Sequence, residues 1–521
     1  MDGKRVALVS VSDKSDILLF CKNLLKWNFD ILSTGGTAKL LKDAGIPVQQ
    51  VSDYTKFPEI LSGRVKTLHP RIHGAILGDK RKKEHAEEMI SHNLTPIDLV
   101  VVNLYPFAEK IEQPACSLEI AIENIDIGGP AMIRAAAKNW ENVSVLTNST
   151  QYASVIEELE QQNGQIGRLM RFSLASEAFS HTASYDGMVS NYLSNISLDG
   201  KTPEFPDTIH IHLSKRHKLR YGENPHQRAC WYEQNYDGLK NSDSVKQLGG
   251  KDLSFNNLVD IDTANECVQN LEIPSCVIVK HGNPCGVARG RTPGDAYKKA
   301  LSTDPTSAFG GIVAFNDVID GRVAKLVSSL FVEVIIAPDF EKSAIEVFEE
   351  KKNIRIIKTK AAEKSSPFEL KYHSTGFLLQ SRDVNTDYDS KNYNIPTLRK
   401  PTDEEKKDLF FAWEVSKFIK SNAIVFCKDK MTIGVGAGQM SRVDSVKIAR
   451  IKAKEVKLET RGSVVASDAF FPFPDALELI AEAGVTAVIQ PGGSVRDQEI
   501  IDAANKLKMA MILTGYRHFR H

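Results

Sequence analysis

The chain has 521 residues, too many for one hydrophobic core, and this length predicts about three or four packing units. Lys plus Arg and Asp plus Glu each total 66, a balance that argues against a polyanion such as DNA or an anionic membrane as the main partner. Hydrophobic residues make up 42% and charged residues 25%, which are the proportions of a globular protein.

The start of the chain, its apolar runs and its cysteines indicate the cellular compartment. No apolar run approaches the roughly 20 residues of a membrane span, and the start MDGKRVALVSVSDKSD reaches charge too early for a secretory signal. The seven cysteines are odd in number and scattered, and no C-x-x-C occurs, so neither a disulfide framework nor a zinc ribbon is predicted. We therefore expect a cytoplasmic protein with reduced thiols.

The amino-terminal part alternates strand and helix patterns. The predicted strands are RVALVSV, FDILST, IPVQQV and the apolar IDLVVVNLYPF (97–107). The predicted helices are KSDILLFCKNLLKW, TAKLLKDAG and IGGPAMIRAAAKN (127–139). This alternation predicts an α/β fold with a parallel sheet, in which ligands bind at the carboxyl ends of the strands.

Polar loops follow the first two predicted strands. Ser10, Ser12 and Lys14 end the first strand, and STGGT (33–37) ends the second. Backbone N–H groups at a helix start, together with a Lys charge, suit a phosphate, although neither a Walker loop nor a Rossmann fingerprint is present. Ordinary turn formation and helix capping explain either loop equally well when it is taken alone.

Several further polar residues of this part are ambiguous singly. Arg64, Lys66 and Thr67 lie in a Gly- and Pro-bounded segment without an apolar face, so packing does not explain the cations. Tyr105 follows a strand, and Lys138 suits either a site or the dipole at a helix end.

The domain boundaries are predicted from composition. A helical pattern covers about 164–194 and is followed by a stretch rich in Pro, Gly and charge, which places the first boundary near 197. A Lys-rich stretch, EEKKNIRIIKTKAAEKSSP, divides the remainder, so the predicted domains are 1–197, 198–366 and 367–521. Further strands are predicted at SCVIVK, GGIVAF, VEVIIA, AIVFCK, TIGVGA, GSVVAS, TAVIQP and AMILTG. GGIVAF and TIGVGA have loosely similar surroundings, but the letters alone do not establish a repeat.

The segment VIVKHGNPCGV (277–287) has three interpretations: half of a zinc site, a metal-free catalytic base, or a polar strand end. A zinc deaminase motif needs H-x-E and P-C-x-x-C, and neither follows His281 or Cys285. At the end of a buried strand, His281 is suited to act as a base near neutral pH, and Lys280 is suited to stabilise an oxyanion. Adjacent strand residues point to opposite faces, so we expect Gly282 and Pro284 to break the strand.

Motifs along essentially the whole chain resemble one family, the bifunctional purine biosynthesis proteins. RVKTLHP, NLYPF and NIDIGG followed by RAAAK resemble its IMP cyclohydrolase half. LRYGENPHQ, VKHGNPCG, DPTSAFGG, KSNAIVFC, GAGQMSRVDS, SDAFFPFPDA, QPGGS and TGYRHFRH resemble its AICAR transformylase half.

The resemblance implies a fold and an activity. It implies a methylglyoxal synthase-like domain at 1–197 and two cytidine deaminase-like α/β transformylase subdomains at 198–366 and 367–521 that lack zinc chemistry. The implied reactions are formyl transfer from 10-formyltetrahydrofolate to AICAR and dehydrative ring closure to IMP, with no transition metal. Family members are homodimers with a shared transformylase site, and some bind a monovalent cation.

The resemblance also implies site residues. Lys66, Tyr105, Asp126 and Lys138 would catalyse closure, with Lys138 the preferred proton carrier. The IMP site would comprise Ser12, Lys14, Thr34, Gly35, Gly36, Thr37, Arg64, Lys66, Thr67, Asn103 and Asp126. His281 would take a proton from the 5-amino group of AICAR while Lys280 stabilises the oxyanion. AICAR would contact Arg220, Tyr221, His281, Gly310, Glu333 (Asp in some relatives), Asn422, Phe470 and Arg517, and the folate would contact Arg442, Val443, Asp475, Ser494 and Val495.

Two rival functions stay open on the residues. One is a zinc-dependent nucleoside deaminase, which metal analysis and a chelator would reveal. The other is a nucleotide-sensing protein that binds without turnover, against which the Lys280–His281 pair and Lys138 argue.

Overall fold

The computed structural model describes residues 4–198, 203–234, 245–359, 368–384 and 393–521. These residues form two compact units. The first unit runs to Ser214, and the second unit contains Lys215–Glu233 and the described chain from residue 245 to His521. No helix among the described residues is long and apolar enough to cross a membrane. The domain boundaries at 197 and 366 stay predictions.

The first unit is built on a five-stranded sheet in the order β3-β2-β1-β4-β5, in which all neighbours are parallel. Its strands are β1 (Arg5–Ser10), β2 (Phe29–Ser33), β3 (Gln49–Gln50), β4 (Leu99–Val102) and β5 (Ser144–Leu146). The predicted strand IPVQQV is mostly wrong, because only two of its residues pair at the sheet edge and Val51 begins a helix with its side chain in the core. β5 was not predicted.

Helices cover both faces of this sheet. They are α1 (Ile17–Lys26), α2 (Gly35–Asp43), α3 (Val51–Thr55), α4 (Pro70–Leu77), α5 (Lys83–Ser91), α6 (Phe107–Ile111), α7 (Leu118–Glu123), α8 (Gly128–Lys138), α9 (Tyr152–Gln161) and α10 (Arg168–Ser194). Alternate strand residues supply two cores: Leu8 and Val100 face α4, α8 and α10, and Ala7 and Val101 face α1 and α9. A sheet buried on both faces leaves the strand ends as the accessible place for polar loops.

The second unit contains an 11-stranded sheet in the order β20-β19-β18-β16-β17-β10-β9-β11-β12-β13-β8. The strands of this unit are β6 (Leu213–Lys218), which begins at the boundary, β7 (Cys230–Gln234), β8 (Val245–Gly249), β9 (Ser275–Lys280), β10 (Asn283–Arg289), β11 (Ile312–Phe315), β12 (Val334–Ala337), β13 (Arg355–Thr359), β14 (Phe368–His373), β15 (Gly376–Ser381), β16 (Ile424–Lys428), β17 (Met431–Gly436), β18 (Val464–Ser467), β19 (Ala487–Gln490) and β20 (Ala510–Leu513). β6 pairs with β7, and β14 with β15, in separate two-stranded sheets.

The helices of the second unit are α11 (Phe255–Gln269), α12 (Pro293–Thr303), α13 (Pro305–Ala308), α14 (Gly321–Val327), α15 (Lys342–Glu349), α16 (Asp403–Ser416), α17 (Arg442–Glu455), α18 (Asp475–Glu482) and α19 (Asp497–Lys506). α11 and α16 cover one face of the sheet with a continuous core. On the other face, α12, α14 and α15 pack on one half of the strands, and α17, α18 and α19 pack on the other half.

The large sheet is an internal repeat whose halves meet where β10 pairs with β17. In each half, a hairpin (β9–β10 or β16–β17) is joined through its first strand to an antiparallel neighbour, which begins a run of parallel strands. β17, which contains most of TIGVGA, therefore corresponds to β10, whereas β11, which contains the IVAF of GGIVAF, corresponds to β18.

Two strands, β10 and β13, occur where the composition of the sequence predicted a strand break or a subdomain boundary. Gly282 lies in the turn before β10, as expected, but Pro284 does not break the strand, because it lies inside β10 and pairs with Val279. Gly286 is also accommodated in β10, where a Cβ would stand 2.1 Å from the Ala300 carbonyl oxygen of α12. β13 lies inside the Lys-rich stretch that was predicted to divide the subdomains, because Ile356 and Ile357 are buried in the sheet. Residues 360–367, the rest of that stretch, fall outside the described residues.

Candidate active sites

The first unit has a cavity of about 640 Å³ at the carboxyl ends of β1, β2 and β4, which we call the strand-end cavity. Its lining includes the predicted residues Ser12, Lys14, Thr34, Gly35, Gly36, Thr37, Arg64, Lys66, Thr67, Asn103, Tyr105 and Asp126. The parallel strands bring their polar loops to one edge, so residues that are far apart in the sequence share this cavity.

One side of the strand-end cavity is made by the loop after β1 and the start of α2. Thr34 is the residue that precedes α2, and Gly35 takes a positive φ of 45°. The Thr37 hydroxyl donates to the Val11 carbonyl oxygen at 3.0 Å and accepts from the Val11 N–H at 3.2 Å, which ties the helix start to the strand end. Backbone N–H groups at such a start favour an anion.

Asn103 organises the neighbouring loop. Its side-chain oxygen accepts from the backbone N–H of Ser12 at 2.5 Å and of Asp13 at 3.1 Å, and its amide donates to the Asp13 carbonyl oxygen at 2.8 Å. Asn103 thus orients the loop that carries Ser12 and Lys14 as well as lining the cavity.

Asp126 is a partly buried acid of the strand-end cavity with a raised pKa. Burial raises its pKa, while hydrogen bonds from the backbone N–H groups of Gly129 and Tyr105 and the charge of Lys66 act in the opposite direction. The Gly129 N–H donates to its carboxylate at 2.8 Å, so the acid lies at the amino end of α8. Lys66 also pairs with Glu59, at 3.4 Å. A perturbed acid beside a cation is suited to proton transfer.

Lys138 is not brought to the strand-end cavity. It is the last residue of α8 and is exposed, and at 1.5 Å per residue it lies about 15 Å along the helix axis from Gly128. It lines a different cleft, whose other residues include Leu77, Phe172 and Phe179. These three apolar side chains are 39%, 59% and 41% exposed.

In the second unit, Lys280 and His281 meet at a turn. Lys280 ends β9 and pairs with Asn283, the first residue of β10, so His281 and Gly282 form a two-residue hairpin turn. Their φ values are 53° and 69°, the left-handed pair that a type I′ turn requires. Because His281 has left-handed backbone, the side chains of Lys280 and His281 both line one cavity of about 210 Å³. In a regular strand, two adjacent residues would instead point to opposite faces.

Lys280 is held by the loop before β11. Its ammonium donates to the carbonyl oxygens of Phe309 at 3.1 Å and Gly310 at 2.8 Å. Gly310 has a φ of 67°, which residues with a Cβ rarely adopt, and a Cβ there would stand 3.1 Å from the Lys280 nitrogen. The predicted contact at Gly310 is thereby adjacent to Lys280.

Glu333 forms a polar cluster next to this loop. Its N–H donates to the Gly311 carbonyl oxygen at 3.0 Å, and its carboxylate accepts from Asn257 at 2.8 Å and pairs with Arg355 at 3.5 Å. Burial lowers the pKa of Arg355, and the nearby charge of Arg220 adds to this effect. Arg220 also lies over the ring of Tyr221 at 5.2 Å.

Sequence reasoning missed several members of this region. Asn257 belongs to the capping box of α11, which explains it without a site. Arg355 lies in the Lys-rich stretch that was predicted to divide the two subdomains. Asp304 and Lys452, which line the cavity of Lys280 and His281 and pair at 3.0 Å, are separated by 148 positions in numbering and carry no local motif.

The remaining predicted contacts lie in the other half of the sheet, at the same edge. Arg442 makes a buried ion pair with Asp468 at 2.7 Å and donates to the Phe470 carbonyl oxygen at 3.2 Å. The Asn422 amide donates to the Gln439 carbonyl oxygen at 2.9 Å. Arg442 is therefore largely occupied by protein groups.

The carboxyl-terminal segment and the predicted folate residues complete this edge. Arg517 is exposed and stacks on Phe519 at 4.6 Å. The other members lie on helix starts and loops: Val443 in the first turn of α17, Asp475 at the start of α18, and Ser494 and Val495 after β19. Val495 is fully exposed, so packing in the core does not explain an apolar residue at this position.

Cys285 is packed beside the turn. Its thiol donates to the Ile278 carbonyl oxygen at 3.5 Å, and burial raises its pKa to about 12. Among the described residues, no group of three or more His, Cys, Asp or Glu side chains is placed to hold a metal ion.

Comparison with known proteins identifies the family of this chain. Residues 136–452 match the family model of the AICARFT/IMPCHase bienzyme, and residues 16–131 match the MGS-like domain. The bifunctional purine biosynthesis protein PurH of Neisseria gonorrhoeae (strain NCCP11945) is 51% identical over 521 residues, with 99% of each chain covered. A solved structure titled "Crystal structure of ForH" shares 35% identity with a TM-score of 0.34, covering 36% of this chain and 96% of that one. This chain therefore belongs to the family of bifunctional purine biosynthesis enzymes that join AICAR formyltransferase to IMP cyclohydrolase activity.

Proposed function

We propose that the two activities are divided between the two units, with ring closure in the strand-end cavity and formyl transfer at the sheet edge that carries Lys280 and His281. The observation that carries the first assignment is that one cavity collects the cations, the helix start and the perturbed acid. The second rests on the turn that aims an adjacent Lys and His into one cavity.

Ring closure needs a weak nucleophile, the carboxamide nitrogen, to attack a formyl carbon of the same molecule. Holding the substrate folded can supply much of the barrier reduction, because orientation replaces a chance encounter. The loop after β1 and the start of α2 would hold the phosphate. Lys66, Tyr105 and Asp126 would transfer protons and stabilise the oxyanion, assisted by the amino end of α8.

Lys138 remains our proposed proton carrier, but it would enter the strand-end cavity of a second copy of the chain and not its own. Within one chain it lies too far along α8, and its end of the helix is flanked by exposed apolar side chains of the kind found in protein interfaces. This arrangement fits a homodimer, which we propose for this chain together with a transformylase site that draws on both copies.

Formyl transfer needs help at both reacting groups. The 5-amino group of AICAR is a feeble nucleophile because it is conjugated to the carboxamide, so His281 would remove its proton during attack. Lys280, oriented by the carbonyl oxygens of Phe309 and Gly310, would stabilise the oxyanion that forms on the formyl group. We propose 10-formyltetrahydrofolate as the donor and the cytoplasm as the location.

The AICAR and folate contacts are proposed as the family resemblance implies them. Supporting observations are the proximity of Gly310 to Lys280, the position of Glu333 beside the same loop, and the location of the contacts in the other half of the large sheet at one edge of that sheet. Arg220 and Tyr221 follow β6 and interact electrostatically with Arg355. Arg355 and Asn257 would hold the Glu333 carboxylate for the ligand. A bound monovalent cation stays a proposal taken from the family.

Purified protein mixed with AICAR and 10-formyltetrahydrofolate tests the proposal directly. We expect formyl-AICAR to appear first and IMP to follow, both measured by chromatography, with activity retained in a chelator. Absence of both products rejects the function. Activity that disappears with the chelator and returns with zinc would instead favour a metal-dependent reaction, and nucleotide binding without products would favour a sensor.

A further inference from the structure

The turn that presents His281 is clamped by a carboxylate from a helix. Asp260, on α11, accepts a hydrogen bond from the backbone N–H of Gly282 at 2.5 Å, and the backbone N–H of His281 also donates toward it. We propose that Asp260 is a positioning residue for formyl transfer, which fixes the left-handed turn and thereby aims the His281 imidazole. This inference rests on the proposed role of His281.

The other half of the sheet contains the same clamp. Asp408, on α16, accepts from the backbone N–H of Asp429 at 2.9 Å and of Lys430 at 2.7 Å. Those two residues form the two-residue turn between β16 and β17, again with positive φ values, of 52° and 51°. The clamp is therefore a device of the repeated fold and occurs twice.

The two clamps match in register. Asp408 occupies the same position in α16 as Asp260 does in α11, counted from the first residue of each helix. The same number of residues separates Asp260 from His281 as separates Asp408 from Asp429. Both helices also begin with a capping box, at Ser254 and at Thr402.

Only one of the two turns faces a proposed site. β10 and β17 are antiparallel, so the Asp429 turn lies beside the end of β10, where the Arg289 N–H donates to the Lys430 carbonyl oxygen at 2.9 Å. The His281 turn lies at the start of β10, on the opposite edge. The second clamp thus performs the structural task without the catalytic one, and it provides an internal control.

The clamp has a physical task because left-handed backbone is unfavourable for a residue with a Cβ. Gly282 adopts it readily, but His281 does not. A carboxylate that accepts from both N–H groups of the turn compensates for this preference and prevents the turn from sampling other geometries. Loss of the clamp should let the imidazole move, and a misplacement of about 1 Å can reduce a rate by about 100-fold.

Matched Asp260→Asn and Asp408→Asn variants test the proposal. Each Asn keeps one acceptor and places an amide donor against an N–H, so both variants should lower the thermal unfolding temperature by similar amounts. We expect Asp260→Asn to lower kcat for formyl transfer by about 10- to 100-fold with the KM for AICAR changed less than about twofold. Asp408→Asn should leave kcat within about twofold of the parent enzyme.

Closure of supplied formyl-AICAR, which we assign to the first unit, should be unchanged in both variants, and the thermal unfolding temperature reports whether the second unit is folded. Equal losses of formyl transfer in the two variants, or none in Asp260→Asn, would overturn the proposal. Formyl transfer by His281→Ala, measured in the same assay, distinguishes failure of the proposed role of His281 from failure of the proposed role of Asp260. If that variant keeps formyl transfer, the role of His281 fails; if it is inactive while Asp260→Asn is normal, only the positioning role fails.

Discussion

Single residues of the strand-end cavity are best understood through their neighbours. Asp126 is buried beside the amino end of α8, close enough to Lys66 for the two charges to interact. Burial disfavours the carboxylate, and the cation and the backbone N–H groups favour it, so Asp126 stays able to gain and lose a proton. Neither residue has this property from its type alone.

Removal of the Lys66 ammonium should stop ring closure. We expect Lys66→Met to lower the rate of closure by about 10²- to 10⁴-fold, because it removes both a proton-transfer group and the charge beside Asp126. The measurement is IMP formation from supplied formyl-AICAR. Formyl transfer to AICAR is the control and should stay normal; unchanged closure would remove Lys66 from the mechanism.

Lys138→Ala should also impair closure, but through a second copy of the chain. We expect mixtures in which Lys138→Ala and Lys66→Met chains have exchanged to regain closure, because a mixed dimer contains one cavity with its own Lys66 and an intact Lys138 from the other chain. Activity in the mixture is compared with each variant alone. Full closure by Lys138→Ala alone would instead show that this residue has no part in the reaction.

The raised pKa of Asp126 predicts an acidic limb in the pH dependence of closure. If its carboxylate accepts the proton, activity is present above that pKa and falls as the pH drops through it, at a higher pH than for an exposed Asp. Rates of closure measured across the acid range should show this limb. Asp126→Asn should lower the plateau and abolish the limb, and a limb that persists in Asp126→Asn would assign it to another group.

At the scale of elements, the large sheet depends on close contacts between strands and helices. Gly286 of β10 lies against α12, and Gly434 of β17 lies against α17 in the same way, since a Cβ on Gly434 would stand 2.3 Å from the Ala449 carbonyl oxygen. Backbone atoms cannot move away as a side chain can. These glycines therefore set how closely each helix approaches its strand.

Gly434→Ala should destabilise the second unit. We expect a loss of about 1–3 kcal/mol in the free energy of unfolding, because the added methyl group forces α17 away from β17. The thermal unfolding temperature measures the effect. Gly294→Ala is the control, since its Cβ would meet only ordinary contacts beyond 3.6 Å within the first turn of α12. Equal stability of the two variants would contradict the close contact.

At the scale of the whole molecule, the proposed division of the two activities between the units predicts that substitutions can separate them. We expect His281→Ala to lose formyl transfer while it still closes supplied formyl-AICAR, because the imidazole lies in the second unit and the strand-end cavity in the first. Paired assays on the folded variant give the answer. Loss of both activities would show that the division between the units is wrong.

The sequence by itself determined the α/β class, most strands of both units and the family, because apolar periodicity and contiguous motifs are local properties. It also indicated many of the polar residues that line the strand-end cavity, because the loops that carry Ser12 and Thr34 follow strands that end at the same edge. Lys66 and Asp126 follow no strand, and the family resemblance implied their roles. Prediction from local patterns failed where an apolar or charged stretch is compatible with two kinds of secondary structure. Val51 begins a helix instead of extending a strand, and β13 lies within a Lys-rich stretch.

The tertiary structure alone decided the remaining features, because they depend on residues that are distant in the sequence. It placed Lys138 away from its own cavity, joined Asp304 to Lys452, and brought Arg355 and Asn257 to Glu333. It also revealed the internal repeat, whose matching carboxylates hold two turns at opposite edges of one sheet. Side-chain direction, helix length and strand order determine these contacts, and none of the three is written in a local motif.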